Sequence, residues 1–186
     1  TRFDRPVLDV TAGSWDSIVT TNPSCDRAPD GRYIMVYKGV GDKRPAPFYG
    51  PVLHGVAFAD APTGPFVKVR EPLFGAGGDF PGEDPFVWCD EAGYLALLKD
   101  NATFYSPASR AIVLFESDDG IAWRLAENPI VRDRRIEYPD GSCREAYRLE
   151  RPFLYREEGG PSVFFCALKP VSYTHLRAHE TEATNS

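Results

Sequence analysis

The sequence predicts an all-β fold made of repeated small antiparallel sheets, and three observations carry that expectation. The 186 residues include 16 Gly and 17 Pro without a collagen period, a load of turn residues that excludes a helical bundle. Aromatic residues reach 13%, and together with the turn residues they favour many short strands. Third, the chain repeats itself. Hydrophobic residues make up 42% and charged ones 26%, an ordinary composition for one domain with its own core.

The repeat is read from three x-Pro stretches: Asn22-Pro23-Ser24-Cys25, Asp84-Pro85-Phe86-Val87-Trp88 and Arg151-Pro152-Phe153-Leu154-Tyr155. Each is followed by a Gly turn and a second apolar strand, namely Tyr33–Tyr37, Tyr94–Leu98 and Val163–Phe165. Pro23 and Pro85 are 62 residues apart, and Pro85 and Pro152 are 67 apart. A second series interleaves: Val56–Phe74 matches Val113–Val131 as strand, polar Gly turn, then a strand that opens on an aromatic residue. One unit is therefore four strands in about 60 residues, the pattern of a β-propeller blade. Arg5-Pro6-Val7-Leu8 matches only the end of such a unit. The expected layout is a blade tail at 1–9, a blade at 10–71, a blade at 72–128 and a partial blade at 129–170. That is about two and a half blades, a fragment of a ring. The charged stretch Arg132-Asp133-Arg134-Arg135 reads as a solvated loop.

The end of the chain has a different character. Val171-Ser172-Tyr173-Thr174-His175-Leu176-Arg177-Ala178-His179-Glu180-Thr181 resembles, over eleven consecutive residues, an in-frame translation of the transposase adaptor used in sequencing libraries. Residues 171–186 are accordingly assigned to a non-native tail. The i, i+4 pair His175 and His179 is not counted as a metal site, and His54 is the one remaining His.

Charge and cysteine content narrow the function classes. The net charge is −6, and no Lys/Arg run exceeds two, which disfavours a nucleic-acid partner. No apolar stretch is long enough for a membrane span. Cys25, Cys89, Cys143 and Cys166 show no metal-ligand spacing and read as small buried hydrophobes, with one disulfide left open. No cofactor or metal is implied. The compartment stays open, with a secreted or periplasmic setting slightly favoured. An acidic chain rich in aromatics suits a neutral, hydroxyl-rich ligand.

In a propeller the first strand of each blade lines the central channel, so Asn22, Glu83-Asp84 and Glu150-Arg151 are expected to face one axial pocket. Paired carboxylates around a pocket are the equipment of glycoside hydrolysis. The two Glu-x-Pro-Phe motifs, with Gly55–Phe66 and Phe115–Trp123, resemble those of five-bladed propeller glycoside hydrolases of the family 43 type. The likeness runs through nearly all of 1–170. It implies a five-bladed propeller that cleaves glycosidic bonds in plant or algal oligosaccharides, such as arabinose- or xylose-containing chains, by an inverting route. By motif match Asp84 resembles the Asp that tunes and orients, and Glu150 the general acid. Arg151 stands where that family commonly has Gly, and its guanidinium would favour an ionised Glu150. The general base is expected on a blade ahead of Thr1, so the 186 residues by themselves are expected to be inactive. Asn22, Glu83 and Arg151 are substrate-binding candidates. Trp15 is a candidate sugar platform, and Asp16 beside it a weaker candidate base. His54 is a candidate hydrogen-bond partner for the substrate. Two alternatives remain: a retaining sucrose- or fructan-type propeller hydrolase, and a non-catalytic carbohydrate-binding propeller.

Overall fold

A computed structural model describes residues 3–171 except 76, 92 and 158–159; the tail expectation for 171–186 thus lies almost wholly outside the described residues. The chain is all-β, with no helix among the described residues. Sheet I holds β1 (Val19–Arg27), β2 (Tyr33–Val40), β3 (Val52–Ala59) and β4 (Val67–Lys68) in that spatial order. Sheet II holds β5 (Gly82–Asp90), β6 (Gly93–Asp100), β7 (Ile112–Ser117) and β8 (Arg124–Arg132), again in chain order. Sheet III orders β11 (Gly160–Pro170), β10 (Cys143–Glu157) and β9 (Arg135–Glu137). All pairings within the three sheets are antiparallel, and none of the sheets closes on itself.

Local sequence explains the strand ends. Between β1 and β2, Gly31 adopts φ 88°, a left-handed value that its missing Cβ permits, and its N–H bonds Ala28 O at 2.9 Å. Buried Asp100 ends β6 and accepts four backbone N–H groups, from Ala102, Phe104, Tyr105 and Ser106, each at 3.1 Å. That satisfies the loop backbone which a buried turn would otherwise leave unpaired.

Two boundaries differ from the expected layout. Residues 3–9 contain no strand. β8 continues past residue 128 to Arg132, and Arg135–Glu137 form β9 out of the stretch read as a solvated loop, pairing with Cys143–Glu145.

The core has two parts. Ile34, Val36, Val56 and Phe58 of sheet I meet Val87, Tyr94, Ala96, Leu98, Val113 and Phe115 of sheet II, sealed by Phe74 from a loop. Trp88, Leu97 and Ile112 on the other face of sheet II meet Ala146 and Leu149 of sheet III. Successive side chains of a strand point to opposite faces. Sheet II is covered on both, which is why β6 reads as an unbroken apolar run.

The first strands of sheets I and II meet edge to edge through side chains instead of a ladder. Ser24 Oγ accepts the Val87 N–H at 2.9 Å, and Asp26 Oδ2 accepts the Cys89 N–H at 2.8 Å. Edge-strand donors of β5 are thereby satisfied. Arg156 of β10 reaches Cys89 O at 3.1 Å and Asp26 at 3.4 Å, which ties in sheet III.

Candidate functional site

Each x-Pro pair interrupts its strand. Register shifts fall between Thr21 and Ser24, Glu83 and Phe86, and Glu150 and Phe153. The residue before each proline is left-handed, with φ 48° at Asn22, 55° at Asp84 and 53° at Arg151. Proline brings no N–H to a ladder, so a bulge forms there and turns the preceding side chain. Asn and Asp tolerate this backbone readily, while Arg does so less often.

The three bulges meet. Asp84 is 8% exposed. Its Oδ1 accepts a 2.8 Å hydrogen bond from Asn22 Nδ2, and its Oδ2 accepts the Arg151 N–H at 3.1 Å. A cavity of about 530 Å³ lies against them, lined also by Phe86 and Phe153. Phe153 is half exposed, and its ring centroid is 5.2 Å from that of Phe86.

One residue earlier in each strand sits a second layer: Thr21, Glu83 and Glu150. Here a row of alternating charges crosses all three sheets. Lys38 donates to Glu83 Oε1 at 2.9 Å, and Lys99 donates to Glu83 Oε2 at 3.3 Å. Lys99 also donates to Glu150 Oε1 at 2.9 Å, and Arg148 Nη1 to the same oxygen at 3.3 Å. The Lys99 side chain is only 3% exposed, so its charge depends on both carboxylates.

These contacts decide the ionisation. The Lys99 hydrogen bond, opposed by partial burial and aided by Arg148, holds the Glu150 carboxyl below its ordinary value. Burial pushes the Glu83 carboxyl up, but Lys38 and Lys99 outweigh it and leave Glu83 below its ordinary value too. A general acid needs its proton, and this setting withholds one from Glu150. The opposing cations are Lys99 and Arg148, while the Arg151 guanidinium makes no ion pair among the described residues.

Asn22, Asp84 and Arg151 thus share the cavity, with Glu83 and Glu150 in the layer behind. Trp15, Asp16 and His54 stand elsewhere. Trp15 stacks on Tyr37 at 5.8 Å, donates from Nε1 to Arg70 O at 3.1 Å, and covers Gly39 and Gly55, where a Cβ would collide with its ring. Tyr37 and Gly39 alternate with Lys38 along β2, so Trp15 packs on the face opposite the charge row. Asp16 is 1% exposed and accepts from Tyr37 Oη at 3.2 Å and Lys68 Nζ at 2.5 Å, an anchor inside sheet I. His54 faces Lys38 across the β2–β3 ladder and is 1% exposed, covered by Phe74. Burial first, then the Lys38 charge, lowers its pKa to about 3. It is a neutral core histidine beside the site.

Lys38, Lys99 and Arg148 were not among the residues expected from the sequence. A signal for the lysines exists: aligned by the repeat, Lys38 and Lys99 stand near the ends of the second strands of the first two units, opposite Thr21 and Glu83. Among the described residues no cluster of His, Cys, Asp and Glu is suited to hold a metal ion, and the four cysteines are unpaired. No described helix is long and apolar enough to cross a membrane. The chain matches no family model and no curated protein.

Proposed function

We propose that the three sheets are consecutive blades of a five-bladed β-propeller of the glycoside hydrolase type, and that the cavity at the x-Pro bulges takes an oligosaccharide for hydrolysis. One observation carries this reading: Asp84 bonds its equivalents in the units before and after it, Asn22 and Arg151. Equivalent positions of successive repeats meeting at one point are what radial repetition produces.

In this reading Asp84 is the orienting carboxylate. Asn22 and Arg151 meet polar groups of the sugar, and the rings of Phe86 and Phe153 form an apolar wall for a sugar face. The inverting route has one carboxyl protonate the leaving oxygen while another activates water on the opposite side of the ring. Glu150 is the proton donor by motif. For that role the Lys99 ammonium must release it as the leaving group enters, because the acid has to carry a proton. The substrate class is arabinose- or xylose-containing oligosaccharide. Proton NMR of such an oligosaccharide with a chain lengthened to include the blade expected to carry the general base tests the reading: a first product of inverted anomeric configuration supports it, and a retained one refutes the inverting route.

A second reading, a saccharide-binding propeller without catalysis, is favoured by the cations that keep Glu83 and Glu150 charged. It predicts saccharide binding with no product released.

A further inference from the structure

We infer that the saccharide taken at this cavity carries an oxyanion substituent, a uronate carboxylate or a sulfate ester, which the Arg151 guanidinium reads. This rests on the saccharide reading above and names the class of sugar.

Arg151 occupies the place that sheets I and II give to Asn22 and Asp84, beside the cavity. Its backbone N–H is taken by Asp84, while its side chain is exposed and makes no ion pair among the described residues. The neighbouring carboxylates are already engaged. Asp84 holds Asn22 and the Arg151 backbone, Glu83 holds Lys38 and Lys99, Glu150 holds Lys99 and Arg148, and Asp26 holds Cys89 N–H and Arg156. The guanidinium therefore presents a planar fork of donors that no carboxylate among the described residues engages.

Local charge points the same way. Lys38, Lys99, Arg148 and Arg151 stand against Glu83, Asp84 and Glu150, one positive charge in excess, in a chain of net charge −6. The acidity of the whole chain favoured a neutral ligand, but that distant charge is screened beyond about 10 Å at ordinary salt. Within the cavity the adjacent fork decides. Carboxylate and sulfate oxygens accept two parallel N–H bonds from a guanidinium, which a hydroxyl cannot match. The aromatic wall of Phe86 and Phe153 is left for the sugar ring itself.

Calorimetric titration of the full 186-residue chain tests this with three probes: xylotetraose, xylotriose bearing one glucuronate, and a monosulfated xylotetraose. One of the anionic probes should bind about tenfold tighter than the neutral one, a step of about 1.4 kcal/mol, and the better of the two identifies the source of the oxyanion. That preference should shrink between about 0.05 M and about 0.5 M salt. In Arg151→Asn, which places at the left-handed position the residue that sheet I carries there, the ratio should fall toward one. Equal affinity for all three probes, a preference indifferent to salt, or a preference that survives Arg151→Asn in a variant that melts like the parent would overturn the inference. Binding of none of the three would instead refute the saccharide reading on which it rests.

Discussion

The Asn22 side-chain amide donates a 2.8 Å hydrogen bond to Asp84 Oδ1 across 62 residues of chain, the same interval that separates Pro23 from Pro85. Arg151 N–H repeats the relation from 67 residues on the other side. Asp84 therefore joins three sheets that share no backbone ladder. Asp84→Ala should cost about 3 kcal/mol, from two hydrogen bonds to a charged acceptor and from a β-carbon held in a left-handed backbone without a polar side chain. Asp84→Asn keeps one acceptor and tolerates the backbone, and should cost about 1 kcal/mol. Urea unfolding measures both. Equal and small losses would show that the sheets hold together without this contact.

Lys99 predicts a titration. Lys99→Met leaves Glu83 with Lys38 and Glu150 with Arg148, so both carboxylates keep a partner and the loss of stability should be about 2 kcal/mol, less than for a fully orphaned pair. In the parent chain a lowered Glu150 pKa stabilises the fold above the ordinary Glu value, and that contribution is lost as pH falls through the lowered one. In the variant the Glu150 carboxyl should titrate closer to the ordinary value, read from its carboxyl ¹³C shift. An unmoved titration would remove Lys99 from the account of its ionisation.

His54 predicts a slope in stability. Folded, it stays neutral down to about pH 3; unfolded, it takes up a proton near its ordinary value of about 6.5. Between those limits the unfolded chain binds more protons, so stability drops as pH drops, by up to about 1.4 kcal/mol per unit. From pH 7 to pH 5 the parent should lose about 2 kcal/mol through this residue. His54→Leu should remove that part of the slope. Parallel slopes in the two proteins, measured by urea unfolding, would contradict it.

Much of the fold is legible in the residues. Proline is positional, because it cannot donate to a ladder and so marks a bulge within β1, β5 and β10, and Gly turns bracket the hairpins. Hence β1, β5 and β10 could be anticipated, and so could the meeting of Asn22, Asp84 and Arg151. The charge row was less visible. A lysine near a strand end usually lies on the surface; Lys99 is buried only because β6 of one sheet runs beside β10 of the next, a relation no local pattern encodes. Trp15 and Asp16 precede Asn22 closely in sequence, yet the two-residue period of β2 puts the face they cover away from Lys38. His54 lies near the start of β3, but the Leu73 N–H bonds its carbonyl at 2.7 Å and brings Phe74 over its ring. β9 was hidden in a run of charges whose pairing with Cys143–Glu145 depends on the hairpin and not on apolar alternation.

The most direct measurement of the proposed activity compares turnover of two glycosides by a chain lengthened to include the blade expected to carry the general base and by its Glu150→Gln variant. One glycoside has a poor alkyl leaving group and the other an activated dinitrophenyl group. The substitution keeps the shape of the side chain and removes its proton. Turnover of the alkyl glycoside should fall by about 100-fold or more, while the aryl glycoside, which needs little protonation, should lose far less. Equal losses on both substrates would contradict the assignment of Glu150 as the proton donor of a glycoside hydrolase.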